Sequence, residues 1–311
     1  MRVFVAGATG ALGSRVLPLL VQSGHDVTGI ARTPVKADEV RATGATPVTV
    51  DLFDPDQVTA AVAGHDAVIN IATHIPDLSK SLRASAWAED YRIRTEGAHN
   101  LVHAALAGGA SRYLQESVTF FYADAGSEWV DEDSPVDLPT YAQASRGAEA
   151  QARRFTEAGG VGVVLRFGLF YGAGSSHTAS QLGLARRGLS PFLGGPDGYQ
   201  TLLHLDDAAS AVVAALGVPG GVYNVTEDEP ATRRRLAEVL GAALNRGPGR
   251  SVRGALRLGG ARAAYLGRSL RVSNRRFRTA SGWAPAYPNP ALGWAQVVEA
   301  QAALGGRNRP E

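Results

Sequence analysis

The 311 residues carry 31 basic against 29 acidic side chains, a formal charge of +2, with 45% hydrophobic residues and no cysteine. That length allows one large domain or two smaller ones with a substantial core. The missing cysteines exclude disulfides, thiolate chemistry and a cysteine-ligated metal, and no apolar run approaches the ~18 residues of a membrane span. A cytoplasmic protein with no leader and no membrane partner is expected.

In chain order, Val3–Ala6 reads as a buried strand, followed by the turn Gly7-Ala-Thr-Gly10-Ala-Leu-Gly13 and a helix with Leu12, Val16, Leu19 and Leu20 on one face. Each glycine sits where a side chain would obstruct. Gly7 permits the tight turn, Gly10 the approach of a pyrophosphate, and Gly13 the packing of helix on strand. Thr9, Ala11 and Leu12 complete a loop whose backbone N–H groups and helix dipole suit phosphates, so this is a candidate dinucleotide site. Pro18 falls inside the helix and is expected to bend or loosen it.

Val27–Arg32 reads as a second strand, ending on Ala31 and Arg32 where such folds often place a carboxylate for the adenosine ribose. Arg32, with Lys36 close behind, suits a 2′-phosphate instead, so NADP is the preferred cofactor and NAD the alternative. Strands are expected at Thr46–Val50, Ala67–Ala72, Arg112–Ser117 and Val161–Arg166, with helices from Asp54 to Gly64, Trp87 to Ala107 and Thr140 to Glu157. This alternation predicts an α/β fold, a doubly wound parallel sheet. The rhythm breaks after Phe167, giving a dinucleotide-binding lobe over 1–167 and a smaller substrate lobe over 168–311, interleaved because 202–225 packs back on the sheet. In that lobe the sequence suggests helices over 182–187, from Asp207 to about Gly217, and over 232–244 and 292–304, a strand over 222–225, and a frayed tail from Gly305.

Residues 246–278 hold ten arginines and no acid. Surface composition, an anion-binding wall for substrate, and a nucleic-acid patch are the three readings, in that order. With only Tyr265 and Phe277 interleaved, no nucleic-acid partner is expected.

The motifs GATGALG at 7–13, VDL at 50–52, VINIAT at 68–73, LRFGLFYG at 165–172, HLDDAA at 204–209 and GWAP at 282–285 resemble extended short-chain dehydrogenases/reductases of the NAD-dependent epimerase/dehydratase type. The resemblance implies that Asp51 and Leu52 flank the adenine. It implies that Ile71, Ala72 and Thr73 pass beside the pyrophosphate and nicotinamide ribose, that Phe167 and Leu169 also contact cofactor, and that a small-molecule substrate sits between the lobes. The family's working set maps onto Ser117 and Tyr141, the latter also a cofactor contact. The lysine position is Ser145 and the asparagine position is Arg94. A tyrosine acting as a base near pH 7 needs its pKa lowered about 3 units by nearby positive charge. Arg94 or Arg146 is expected to supply it, or else the site has lost proton transfer.

His74, at the carboxyl end of the fourth strand, is a further acid/base candidate, or only a loop cap. His177 is a weaker candidate over the substrate pocket; His204, Asp206 and Asp207 read as structural ties. No metal site is expected. The resulting expectation is an NAD(P)-dependent oxidoreductase or epimerase/dehydratase-like enzyme on a small hydroxylated or carbonyl substrate, sugar-like ones included, with a homodimer left open. A dinucleotide-binding sensor without turnover is the alternative.

Overall fold

The computed structural model describes residues 1–76, 83–138, 143–251 and 265–307. Tyr141, the first turn of the helix expected from Thr140, and part of the arginine-rich segment lie outside them.

Strand β1 (Arg2–Ala6) leads through the glycine loop into α1 (Gly13–Gln22), followed by β2 (Asp26–Ile30), α2 (Pro34–Ala42), β3 (Thr46–Val48), α3 (Pro55–Val62) and β4 (Ala67–Asn70). The sequence reading missed α2, whose apolar contribution is slight: only Val40 is buried. Thr33 caps it and Pro34 opens it, a start signal that was present. Asp54 caps α3 by accepting from the Asp56 and Gln57 N–H groups, as its sequence predicts.

The long helix expected over 87–107 is present with a defect. It runs Ala88–Arg92, widens to a π turn over Ile93–Gly97 and continues Ala98–Ala107, together α4. Such widened turns often mark functional positions; here the turn carries Arg94. Next come β5 (Arg112–Val118), α5 (Gln143–Glu157), β6 (Val161–Phe167), β7 (Leu169–Tyr171), α6 (Ser176–Arg186), β8 (Leu202–His204), α7 (Leu205–Ala214), β9 (Gly221–Val225), α8 (Arg233–Ala243), α9 (Arg275–Ser281) and α10 (Pro290–Arg307).

The central sheet has seven strands in the order β9-β6-β5-β4-β1-β2-β3, all its pairs parallel. Both faces are covered, which is why these strands read as continuous apolar runs. On one face Val3, Val5 and Leu165 pack with Val16, Leu17 and Leu20 of α1 and with Ala208 and Val212 of α7. On the other, Phe4, Val68 and Tyr113 meet Val58, Leu101, Val102 and Phe155. Full burial of each such Val, Leu or Phe is worth roughly 1.5–3 kcal/mol. Because β9 pairs with β6, the sheet continues beyond residue 167 into the second half of the chain.

The smaller lobe has its own core of Tyr171, Leu182, Phe192, Leu236, Leu240 and Trp294, with Trp294 stacked on Tyr171 at 4.8 Å between ring centroids. His204 and its neighbours are ties, as expected. Asp207 accepts from the Ala286 and Tyr287 N–H groups at 2.7 and 3.0 Å, and Asp206 pairs with Arg15 of α1 at 2.7 Å. In the described part of the arginine-rich segment, Arg268 pairs with Asp137, Arg276 with Asp133 and Arg278 with Asp228, and Arg271 lies over the Trp129 ring.

Candidate functional site

The glycine loop adopts the geometry its sequence demands. Gly7 has φ +90°, and a Cβ there would lie 2.6 Å from the Ala72 nitrogen and the Ile71 carbonyl. A Cβ on Gly13 would overlap the Gly7 carbonyl oxygen and Ala8. A Cβ on Gly10 would meet only the Gly7 oxygen, at 3.4 Å, and Gly10 borders the cavity. Leu12 precedes α1 without a side-chain cap, and the N–H groups of Ala11, Leu12 and Gly13 meet no acceptor among the described residues. Free N–H donors at a helix start, a glycine open to the cavity and no carboxylate in the first turn fit a dinucleotide pyrophosphate.

From this loop one cavity of about 2210 Å³ extends across the carboxyl ends of the strands to the smaller lobe. All the predicted cofactor residues within the described part border it: Gly7, Thr9, Gly10, Ala11, Leu12, Gly13, Arg32, Asp51, Leu52, Ile71, Ala72, Thr73, Phe167 and Leu169. The Arg32 side chain is 75% exposed, with one nitrogen 3.3 Å from Glu89. The cavity is also lined by Phe120, Phe121, Pro191, Leu193 and Leu266, with His177, Gln181 and Arg187 from α6 and the turn after it. The outlying His177 ring has its pKa lowered by loss of surrounding water.

The expected catalytic set is arranged differently from the sequence reading. Ser117 is fully buried, does not border the cavity, and donates to Glu149 at 2.7 Å. Glu149 in turn holds Arg166, the β6 residue paired with Ser117 in the sheet, through two 2.8 Å bonds. Burial alone would lower the Arg166 pKa, but Glu149 and Tyr122 raise it. Ser117 therefore belongs to a closed ion-pair network; its neighbours Glu116 and Val118 face the cavity.

Arg94 borders the cavity but is 4% exposed and held on both sides, by Asp90 at 3.0 Å and Glu116 at 2.8 Å. Burial opposes its charge, and the two carboxylates outweigh burial and raise its pKa, so the guanidinium stays ionised. Burial also raises the Glu116 carboxyl, with Arg94 pulling it back. Two carboxylates against one guanidinium leave no surplus positive charge at Arg94 itself; Tyr141, whose tyrosinate it was expected to stabilise, lies outside the described residues. Ser145 is buried and borders the cavity, a neutral hydroxyl at the lysine position.

His74 is half-exposed and outside the cavity lining. Its N–H donates to Asp90 at 2.9 Å, and its ring lies 3.5 Å from Glu89. These contacts fit the loop-capping alternative. Gln181, Gln200, Glu116 and Arg187 were missed by sequence reasoning, which had no motif or periodic signal to single them out. Among the described residues no cluster of His, Asp or Glu has metal-binding geometry, and no helix is long and apolar enough to cross a membrane.

The sequence profile of the NAD dependent epimerase/dehydratase family matches residues 3–226. A Streptomyces protein described as 3-diazoavenalumate denitrifying reductase is 35% identical, over 93% of this chain and 97% of its own. A 2-alkyl-3-oxoalkanoate reductase of Shewanella oneidensis is 28% identical over 76% of this chain and 64% of its own. Among solved structures, human epimerase family protein SDR39U1 with NADPH superimposes with a TM-score of 0.80 at 25% identity, covering 96% of this chain and 99% of that one. The chain belongs to the NAD-dependent epimerase/dehydratase family of extended short-chain dehydrogenases/reductases, whose cofactor is a nicotinamide dinucleotide.

Proposed function

We propose that this protein is an NADPH-preferring reductase that delivers hydride to a small, strongly electrophilic aromatic substrate without drawing a proton from a tyrosine–lysine pair. The observation that carries this reading is the charge balance at the family's proton relay. Ser145 is neutral, Arg94 is matched by Asp90 and Glu116, and Ser117 is turned into the Glu149–Arg166 network. The glycine loop and the α1 amino terminus hold the pyrophosphate, and Arg32 meets a 2′-phosphate. When bound, the reduced dinucleotide supplies the hydride.

Acceptors differ in what else they need. A ketone takes a hydride and a proton to become an alcohol. An arenediazonium takes only the hydride, forming an aryldiazene that loses dinitrogen and leaves the arene. The second route asks no acid of the protein, and the diazo substrate in the Streptomyces relative's name makes that class the leading candidate. The cysteine-free sequence offers no thiolate for such an electrophile to consume. Phe120, Phe121 and Leu193 suit an aromatic body. Ketone reduction, as named for the Shewanella relative, is the second reading, favoured by Tyr141 at the family's tyrosine position.

The test mixes protein and NADPH anaerobically with a stable arenediazonium salt and, separately, with a panel of 3-oxo acids and aryl ketones. Equal amounts of dinitrogen, arene and oxidised cofactor, formed above the protein-free rate, support the proposal. Turnover of ketones alone replaces it with the second reading, and tight NADPH binding with no turnover on either panel favours the sensor.

A further inference from the structure

The polar groups at the far end of the cavity form a pattern that hydride delivery does not use. His177, Gln181 and Leu184 stand at i, i+4 and i+7 of α6, so one helix face lines the cavity, and Arg187 follows directly after the helix. Gln181 is 5% exposed, and its amide oxygen has no hydrogen-bond partner among the described residues. The Gln200 amide oxygen, on another wall of the same cavity, is likewise buried and unpartnered. A buried acceptor left without a partner is unfavourable, so two of them lining one cavity call for a donor from whatever fills it.

Charge adds a second constraint. The other basic side chains bordering the cavity each meet a carboxylate: Arg32 with Glu89, Lys36 with Glu39, Arg92 with Glu96, and Arg94 with Asp90 and Glu116. Arg187 meets none among the described residues.

We infer that this end of the cavity is an anchoring subsite for a hydroxylated aromatic acid. Arg187 pairs with the carboxylate, the hydroxyl shares its single proton between the Gln181 and Gln200 oxygens as a three-centre bond, and Phe120 and Leu193 flank the ring. Gln181 and Arg187 are six residues apart along α6 and its C-cap, a rise on the order of 9 Å. That is about the span from hydroxyl to carboxylate in a phenylpropenoic acid. The inference rests on the reductase reading for its purpose, but its test does not require turnover.

Binding of 4-hydroxycinnamate, cinnamate and 4-hydroxycinnamamide to the NADP⁺-loaded protein is measured by calorimetry. The hydroxy acid is expected to bind roughly tenfold tighter than either analogue, since each lacks one hydrogen-bonding or charged group. Arg187→Gln should equalise the acid and its amide while leaving the preference for the hydroxyl. Gln181→Met and Gln200→Met should each shrink the preference for the hydroxyl and leave the preference for the acid. Unchanged NADP⁺ affinity identifies folded variants; if Gln181→Met fails that check, Gln200→Met and Arg187→Gln carry the test. No preference in the parent, no binding at millimolar concentration, or preferences that survive the variants overturn the subsite. The expected binding pattern without hydride transfer to any acceptor leaves the subsite standing and removes the reductase reading. Turnover by a parent that shows no preference does the reverse.

Discussion

Replacing Arg94 by methionine separates a structural cation from a catalytic one. In the structure Asp90 and Glu116, each 5% exposed, both pair with the single Arg94 guanidinium. Arg94→Met leaves two buried carboxylates without their cation. Removing one partner of a buried ion pair costs about 3–5 kcal/mol. At about 2 °C per kcal/mol for a chain of this size, Tm should fall by roughly 6–10 °C. The pH dependence has a definite sign. Burial already raises the Glu116 pKa and Arg94 opposes that rise, so the variant raises it further. A carboxyl whose folded-state pKa lies above its unfolded value binds a proton on folding, and its stability deficit shrinks as pH falls. The loss should therefore be smaller near pH 6 than near pH 8, and adding Asp90→Asn and Glu116→Gln should recover most of it. Thermal and urea unfolding across pH, with the cofactor absent, measure this. An unchanged Tm together with a displaced pH–rate profile would refute the reasoning and return Arg94 to the reaction.

Three other predictions concern cofactor, loop and lobe. NADPH should bind roughly ten- to a hundredfold tighter than NADH, and Arg32→Ala should erase most of that difference in calorimetry; equal affinities in the parent contradict the 2′-phosphate contact. Gly10→Val should abolish dinucleotide binding while keeping the far-ultraviolet spectrum, because the new side chain fills space beside the cavity rather than the core; retained affinity contradicts the loop's role. Glu227, buried against the Tyr171 hydroxyl, has its carboxyl pushed up to about 8 by burial. Its contribution is fully present below the unfolded value near ~4.3 and is lost as pH rises through about 8, so Glu227→Gln should flatten the decline in urea-measured stability over that range; an equally steep decline in the variant sinks the assignment.

The parts of this molecule legible in the sequence are those that local sterics determine. Gly7 and Gly13 are required by backbone contacts within or beside the loop itself, and Asp54-Pro55 starts α3 through its own side chain. Strands buried on both faces give apolar runs, so six of the sheet's seven strands stand out before residue 167. Helix α2 buries one residue and leaves little periodicity to read. The catalytic corner was illegible for a different reason: it depends on pairings across distant strands. Ser117 is diverted by Glu149 and Arg166, 32 and 49 positions further on, the latter reached only because β5 and β6 are neighbours. The sequence shows a cation at Arg94 but not Glu116, on another element, which pairs with it. A motif gives positions; whether a charge there is free is a property of the packed fold.

The most direct test of the central claim is the pH dependence of hydride delivery in a single turnover. Stopped-flow oxidation of bound NADPH by an arenediazonium, followed from about pH 5.5 to about pH 7.5, isolates that step from product release. The account predicts a rate that is flat over this range and unaffected by Tyr141→Phe. A rate that follows the ionisation of a protein group and collapses in Tyr141→Phe would contradict it.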